Sequence, residues 1–154
     1  MRLTAALSLL LLALPLAAAC DGGEDCPNQP PTLGWRLSTP GGLEVRFNRS
    51  VGQSLEFSIS NAVSDPEEDP LFFVWYREVP EADSGPVPEV GDVSMTLNPC
   101  EIFSLRNASR VNVTVVVSDA PIMFDKDAEL FPVVNNGAPY VMRVWTVELL
   151  DECP

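Results

Sequence analysis

Residues 111–117 read VNVTVVV, and they form the clearest β-strand pattern in this sequence. Valine occupies every odd position of the run, while asparagine and threonine occupy positions 112 and 114. Successive side chains of a strand point to opposite faces, so the odd-numbered valines share one face, which we expect to be buried. Valine is also β-branched and therefore favours the extended backbone. This pattern predicts a strand with one face in a core.

Further short apolar runs lie on both sides of this strand. The clearest cover 54–63, 71–76 and 140–150, and weaker alternation marks 33–37, 43–47 and 92–97. Residues 71–76 are apolar on both faces, as expected of a strand in the middle of a sheet. Fifteen prolines and nine glycines interrupt the chain between the runs and leave little room for long helices. The sequence therefore predicts an all-β sandwich of seven or eight short strands.

Two parts of this pattern resemble a known superfold. Residues 51–55, 63–71 and 73–75 look like the B-strand, acidic turn and C-strand of immunoglobulin-like domains of the PKD or cadherin-like kind. Residues 113–119 look like the F-strand of the same domains. The resemblance implies an immunoglobulin-like antiparallel β-sandwich, and we assign this domain to residues 32–154.

The same resemblance implies a disulfide. Strands alternate in direction in such a sandwich, so the chain after the E-strand and the chain after the G-strand emerge at the same end. Cys100 and Cys153 occupy these two positions and are predicted to pair, which would leave Cys26 unpaired. The cysteine count alone also allows two disulfides, with three possible connectivities, if Cys20 is unmodified.

The N-terminus has the layout of an export signal. A basic start, an apolar middle and three alanines before Cys20 predict a cleavable signal peptide over residues 1–19. The run LAAAC at 16–20 resembles the bacterial lipobox, whose cysteine receives a diacylglyceryl group, although Ala17 stands where leucine is usual. Residues 20–31 are polar and rich in glycine and proline, and we interpret them as a flexible tether. Ordinary cleavage that leaves Cys20 for a disulfide is the alternative.

The mature chain is strongly acidic. The predicted signal contains one charge, Arg2, so 8 lysines and arginines remain against 22 acidic residues, and the net charge is 8 − 22 = −14. This charge argues against nucleic acid as a partner, because binding to phosphates needs a basic face. A lipidated chain would lie at a bacterial membrane, inner or outer, with its domain outside the cytoplasm and a protein or a glycan as its partner.

The residue types restrict catalysis and metal binding. The sequence contains no histidine, which removes histidine-dependent nucleophilic catalysis and histidine-containing metal sites. Asp65, Glu67, Asp69 and Asp119 belong to two loops that such a sandwich places at one end. They are candidate ligands for Ca²⁺, which takes six to eight oxygens. The simpler interpretation is that they are solvated turn residues, and no other cofactor is predicted.

The segment 119–138 is long for a connection between two strands. Loops of this length are usually functional or disordered, and this one contains the apolar residues Ile122, Met123, Phe124 and Phe131. Two hypotheses remain open for it. The segment is either a partner-binding patch at the tip of the sandwich, or it folds back over the core and adds a short strand.

Together these patterns predict a non-enzymatic lipoprotein of the cell envelope whose sandwich serves as a binding or structural module. The second hypothesis is a secreted adhesion or receptor-like domain without lipid, in which Cys20 forms a disulfide. The third is a hydrolase that relies on carboxylates alone. The sequence specifies no ligand for any of them.

Overall fold

A computed structural model describes residues 28–82, 86–90, 92–123, 133–134 and 137–153 of the 154-residue chain. Short strands dominate these residues, with two 3₁₀ turns at Trp35–Leu37 and Phe103–Leu105. The strands are β1 (Thr32–Leu33), β2 (Glu44–Asn48), β3 (Leu55–Ser58), β4 (Val63–Ser64), β5 (Phe72–Glu78), β6 (Val87–Val90), β7 (Ser94–Leu97), β8 (Arg110–Ser118), β9 (Ile122–Met123), β10 (Val133–Val134) and β11 (Tyr140–Leu150).

The strands form two layers. The larger sheet has the order β2-β11-β8-β5-β6, and β3 pairs with β7 in the layer opposite. β1 pairs with β4, and β9 pairs with β10. All these pairings are antiparallel except the one between β2 and β11, which is parallel. The predicted all-β, immunoglobulin-like sandwich is confirmed, with this one parallel pair as an exception to its antiparallel pattern.

The core lies between the two layers and is built around aromatic side chains. Trp145 of β11 packs edge-on against Phe57 of β3, with 5.3 Å between ring centroids, and stacks with Trp75 of β5 at 5.9 Å. The Trp75 indole N–H donates to the carbonyl of Asp92 at 2.7 Å, and the Trp145 N–H donates to the carbonyl of Pro40 at 2.9 Å. Both indoles are therefore buried with their polar groups satisfied.

The burial of β8 confirms the predicted alternation. Val111, Val113, Val115 and Val117 are all fully buried against the opposite layer. Val116, on the other face of the strand, is also buried, because the larger sheet has a second, smaller apolar cluster on its outer face. The alternation of residues 111–117 predicts burial of one face only, and it does not indicate the apolar cluster that buries Val116 on the other face.

Three segments differ from the predicted strands. Of residues 54–63, only Leu55–Ser58 form a continuous strand, β3, and a separate strand, β4, begins at Val63. Residues 33–37 are not one strand, because β1 ends at Leu33 and a 3₁₀ turn follows. Residues 78–91 are acidic and rich in proline and belong to none of the predicted strands, yet they contain β6, which pairs with β5 at the edge of the larger sheet. An edge strand tolerates Pro88 because one side of it needs no N–H donor. The proline-rich composition of this segment therefore does not indicate the strand that it forms.

The chain passes from one layer to the other between β1 and β2. Thr39 still forms an isolated antiparallel bridge with Ser58 of β3. After Gly41 and Gly42, β2 begins at Glu44 and pairs with β11 from Thr146 onward. Among the described strands, none pairs with the first half of β11 on this side.

A disulfide and a buried arginine hold one end of the domain. The predicted Cys100–Cys153 disulfide is confirmed, with 5.4 Å between the two Cα atoms. Arg49, just after β2, is buried and donates hydrogen bonds to five backbone carbonyls. These belong to Leu105, Arg106, Ala108, Leu150 and Asp151. Both features connect the segment between β7 and β8 to the end of β11, and we call this end the disulfide end.

A hydroxyl placed in this core is expected to destabilise the domain. Val115→Thr keeps the shape of the side chain but buries a polar group, so we expect the free energy of unfolding to fall by about 1–3 kcal/mol. Val144→Thr, on the outer face of β11, is the matched control and should change it by less than ~0.5 kcal/mol. Urea denaturation followed by tryptophan fluorescence measures both. Equal losses would contradict the assignment of Val115 to the core.

Candidate functional site

One end of the sandwich receives the chain from its N-terminal segment. Phe72 and Tyr140 both pair with Ser118, so β5 and β11 begin where β8 ends. The side chain of Asn28, the first described residue, donates to Oδ2 of Asp119 at 2.5 Å. We call this the entry end, and it lies opposite the disulfide end.

Asp65 shapes the acidic turn at the entry end. Its Oδ1 atom accepts hydrogen bonds from the backbone N–H of Glu67 at 2.9 Å and of Asp69 at 3.0 Å. Aspartate commonly makes such local bonds in turns. Glu67 and Asp69 themselves are exposed. The contacts of Asp65 therefore agree with its interpretation as a turn residue.

The four candidate calcium ligands do not form a metal-binding group in this structure. Within the described ranges, no three histidine, cysteine, aspartate or glutamate side chains lie close enough together to hold a metal ion. Asp65 Oδ2 and Asp119 Oδ1 are each buried without a hydrogen-bond partner. Two such oxygens fall well short of the six to eight that Ca²⁺ requires, and we propose no metal here.

The segment between β8 and β11 contains near its start the apolar residues Ile122 and Met123, whose surroundings differ. Ile122 and Met123 form β9, and Ile122 packs against the apolar cluster on the outer face of the larger sheet. Met123 is 55% exposed. For Ile122 the structure supports the hypothesis of an added strand that covers the sheet, whereas Met123 keeps its side chain on the surface. The other predicted patch residues, Phe124 and Phe131, lie outside the described residues.

The predicted signal peptide at 1–19, the predicted lipidation site Cys20 and the cysteine Cys26 also lie outside the described residues. Cys20 is eight positions before Asn28, where the description of the domain begins. A chain segment of this length spans at most about 28 Å when fully extended. In the part of the chain that the structure describes, no helix has the length and apolar character of a membrane span.

The outer face of the larger sheet has a charged depression towards the disulfide end. Arg46 and Glu148 form an ion pair at 2.7 Å, and Glu44 and Arg110 line the same depression of about 410 Å³. The hydrogen bond and the charge of Arg46 lower the pKa of the Glu148 carboxyl. Because both partners are largely exposed, the pair contributes little to stability. Charges of both signs are mixed here, so the depression favours neither an anion nor a cation.

The first half of β11 presents unpaired backbone groups. The N–H of Thr146 donates towards β2, to the carbonyl of Leu43, whereas the N–H of Leu149 donates towards β8. Since the N–H and C=O of one strand residue point to the same side, the even-numbered residues Met142 and Val144 direct theirs away from β8. β2 begins too late to reach them. These four groups have no strand partner among the described residues.

A groove of about 470 Å³ runs along this edge of β11. We call it the open-edge groove, and its walls are Leu33, Leu43, Val141, Met142, Arg143 and Val144. Leu43 and Met142 are 56% and 51% exposed, so apolar side chains lie at the surface beside unpaired backbone groups. An extended peptide that joins a sheet edge uses this combination, because main-chain bonds give affinity and adjacent pockets give selectivity.

Arg143 is the charged residue of the open-edge groove. It is 5% exposed, and its guanidinium lies over the Trp145 ring at 4.8 Å from the centroid. One Nη atom donates to the carbonyl of Gly41 at 3.2 Å, but Nε has no hydrogen-bond partner in the described part of the chain. Over the same residues no carboxylate forms an ion pair with it. Burial lowers the pKa of Arg143, yet an arginine stays protonated in a protein.

Sequence reasoning missed this groove, although one signal was present. Val141, Arg143 and Trp145 share the inward face of the predicted strand 140–150, so the alternation places a charge among buried positions, where arginine is rare. The open edge itself depends on where β2 begins to pair, and no local sequence pattern indicates that position.

Comparison with known proteins identifies no relative. No protein-family model, no curated protein sequence and no solved structure matches this chain. Inference about its function therefore rests on the N-terminal sequence, the entry end and the open-edge groove.

Proposed function

We propose that this chain is a non-enzymatic lipoprotein of a bacterial cell envelope, held by a diacylglyceryl group on Cys20. Its immunoglobulin-like sandwich binds a partner outside the cytoplasm. The observation that carries the proposal is the apolar segment that ends in small residues at Cys20 and continues into a polar stretch. Two acyl chains suffice for stable anchoring, since each buried methylene contributes roughly 0.8 kcal/mol.

The position of the entry end supports an anchored domain. Asn28 is fixed there by its hydrogen bond to Asp119, so a lipid on Cys20 would hold this end within about 28 Å of the membrane. When the strands lead away from the membrane surface towards the disulfide end, the open-edge groove, along the side of β11, is accessible to a partner.

A binding role fits the chemistry of the domain better than a catalytic one. The sequence offers no histidine as a general base. Among the described residues, the charged side chains that are buried as a whole are those of Arg49 and Arg143, and a guanidinium that cannot lose its proton does not transfer one. The open-edge groove, by contrast, combines apolar walls, unpaired backbone groups and one charge, which are the elements of a recognition site.

Replacing Cys20 by serine is expected to release the protein from the membrane, because serine cannot accept the diacylglyceryl group. In a bacterial host, we expect the wild-type chain in the detergent phase of the membrane fraction, with an intact mass increased by the lipid. Cys20→Ser is expected in the soluble fraction without that mass. Cys26→Ser is the matched control, and it should stay membrane-bound.

Two results would contradict the anchor. The first is a Cys20→Ser protein that remains in the membrane fraction. The second is a wild-type protein whose Cys20 is joined to another cysteine in non-reducing peptide mapping, which would support the secreted adhesion or receptor-like domain instead.

A further inference from the structure

We propose that the open-edge groove binds an extended peptide segment carrying an acidic side chain, which adds to the larger sheet as a strand beside the first half of β11. This inference names the ligand class of the binding role proposed above and rests on that role. It is independent of the lipid, because the groove belongs to the folded domain whether or not Cys20 is acylated.

Backbone groups supply the first part of the recognition. Met142 and Val144 each present one N–H and one C=O to the groove, so a strand laid along this edge gains up to four hydrogen bonds. β2 already uses the same edge from Thr146 onward. The edge is therefore compatible with a neighbouring strand, and the ligand would continue the line of β2 towards the entry end.

The start of β2 limits the length of the ligand. The unpaired part of β11 runs from Tyr140 to Val144 and is about 16 Å long at the usual rise of a strand. A ligand therefore contributes about five residues to the sheet. Alternate side chains of such a strand point to one face, where Leu33 and Leu43 offer apolar contact.

Arg143 supplies the preference for an acidic ligand, as a comparison with Arg49 makes clear. The two side chains are 5% and 8% exposed, so both are largely removed from water. Arg49 donates to five backbone carbonyls and is satisfied by its own chain. Arg143 donates one hydrogen bond to the carbonyl of Gly41, but its Nε lacks a hydrogen-bond partner within the described residues. A carboxylate brought by a ligand would provide the missing acceptor as a charge-assisted hydrogen bond.

A peptide selection followed by a charge-removal cycle tests the proposal. The full chain, purified from membranes in detergent, serves as bait for a phage-displayed library of random heptapeptides. Each enriched peptide is synthesised with its acidic residue and with the corresponding amide. We expect the acidic form to bind the wild-type protein at least ten-fold more tightly, and Arg143→Gln to abolish this difference. Arg110→Gln removes the same charge from the charged depression and should preserve it.

Hydrogen exchange in the wild-type protein tests the same contact without any substitution, so the misfolding of a variant cannot affect the result. The acidic peptide is expected to slow exchange of the Met142 and Val144 amides at least ten-fold. The Thr146 amide, already bonded to Leu43, should not change. Protection at these two amides would place the peptide at the open edge.

Several outcomes would overturn the proposal. They are a selection that enriches no peptide, equal binding of the acidic and amide forms, and protection confined to other strands. Protection of Met142 and Val144 that grows with protein concentration in the absence of peptide would assign the edge to a second copy of the chain, and would also overturn it. None of these outcomes bears on the membrane fractionation of Cys20→Ser, so failure of the anchor and failure of the groove are distinguishable.

Discussion

Arg49→Ala is expected to lower the free energy of unfolding by about 3–5 kcal/mol, because the substitution removes every donor that this side chain gives to five backbone carbonyls. The acceptors on Leu105 and Ala108 are bonded within a buried environment. Without the guanidinium these carbonyls lose their side-chain partner and do not regain water. Urea denaturation under non-reducing conditions, with the disulfide intact, measures the effect.

Two companion variants separate this role from charge in general. Arg49→Lys keeps the charge, but the single ammonium group of lysine reaches fewer carbonyls than the planar guanidinium of arginine. We therefore expect Arg49→Lys to lower the free energy of unfolding by less than Arg49→Ala does, but still measurably. Arg46→Ala removes an exposed arginine from the neighbouring strand β2 and should cost less than ~1 kcal/mol. A loss at Arg49 no larger than the loss at Arg46 would contradict the role of Arg49 in holding the disulfide end.

Removing the disulfide with Cys100→Ser and Cys153→Ser is expected to destabilise the domain by ~4 kcal/mol. The cysteines are 53 residues apart, and in the chain-entropy model a crosslink over a loop of this size reduces the freedom of the unfolded chain by that amount. Reduction of the wild-type protein should give a similar loss. Unchanged stability in the double-serine variant would show that the crosslink does not constrain the unfolded state.

The disulfide and Arg49 are also expected to be coupled, since both join the segment before β8 to the end of β11. Without the disulfide, the disulfide end can open locally, and water can then reach the carbonyls that Arg49 binds. Arg49→Ala should therefore lower the free energy of unfolding by less in the variant without the disulfide than in the wild-type background. A double-mutant cycle measures the difference, which we expect to exceed ~0.5 kcal/mol for contacts that share the same segments. Strict additivity would contradict a shared role.

Local patterns predicted the features of this fold that depend on neighbouring residues in the chain. The alternating valines of 111–117 lie with their odd members in the core, and the apolar run 71–76 forms most of a strand inside the larger sheet. The Cys100–Cys153 pairing followed from the topology that the immunoglobulin-like resemblance implies. In each case the sequence information is short-range, or the superfold already fixes the geometry.

The remaining features depend on contacts between distant parts of the chain. Arg49 and Arg143 are both buried, but only the structure distinguishes the one that five carbonyls satisfy from the one that keeps an unpartnered Nε. β6 was missed because proline is normally a strand breaker, and only its place at a sheet edge makes Pro88 acceptable. The open-edge groove exists because β2 pairs late with β11, which is a matter of register and not of composition.

The unequal pairing of the first two strands has a mechanical consequence. β1 is held to β4 by two residue pairs, whereas β2 is held to β11 by five. A force that pulls on the chain at Asn28 reaches β1 first, and it can peel this strand away before any load reaches β2. The residues from 28 to 43 would then span at most about 50 Å when fully extended, while β2 and the larger sheet remain folded. A domain tied to a surface at its entry end could follow a moving partner over the difference between this length and the folded span of the segment, and keep its sheet intact.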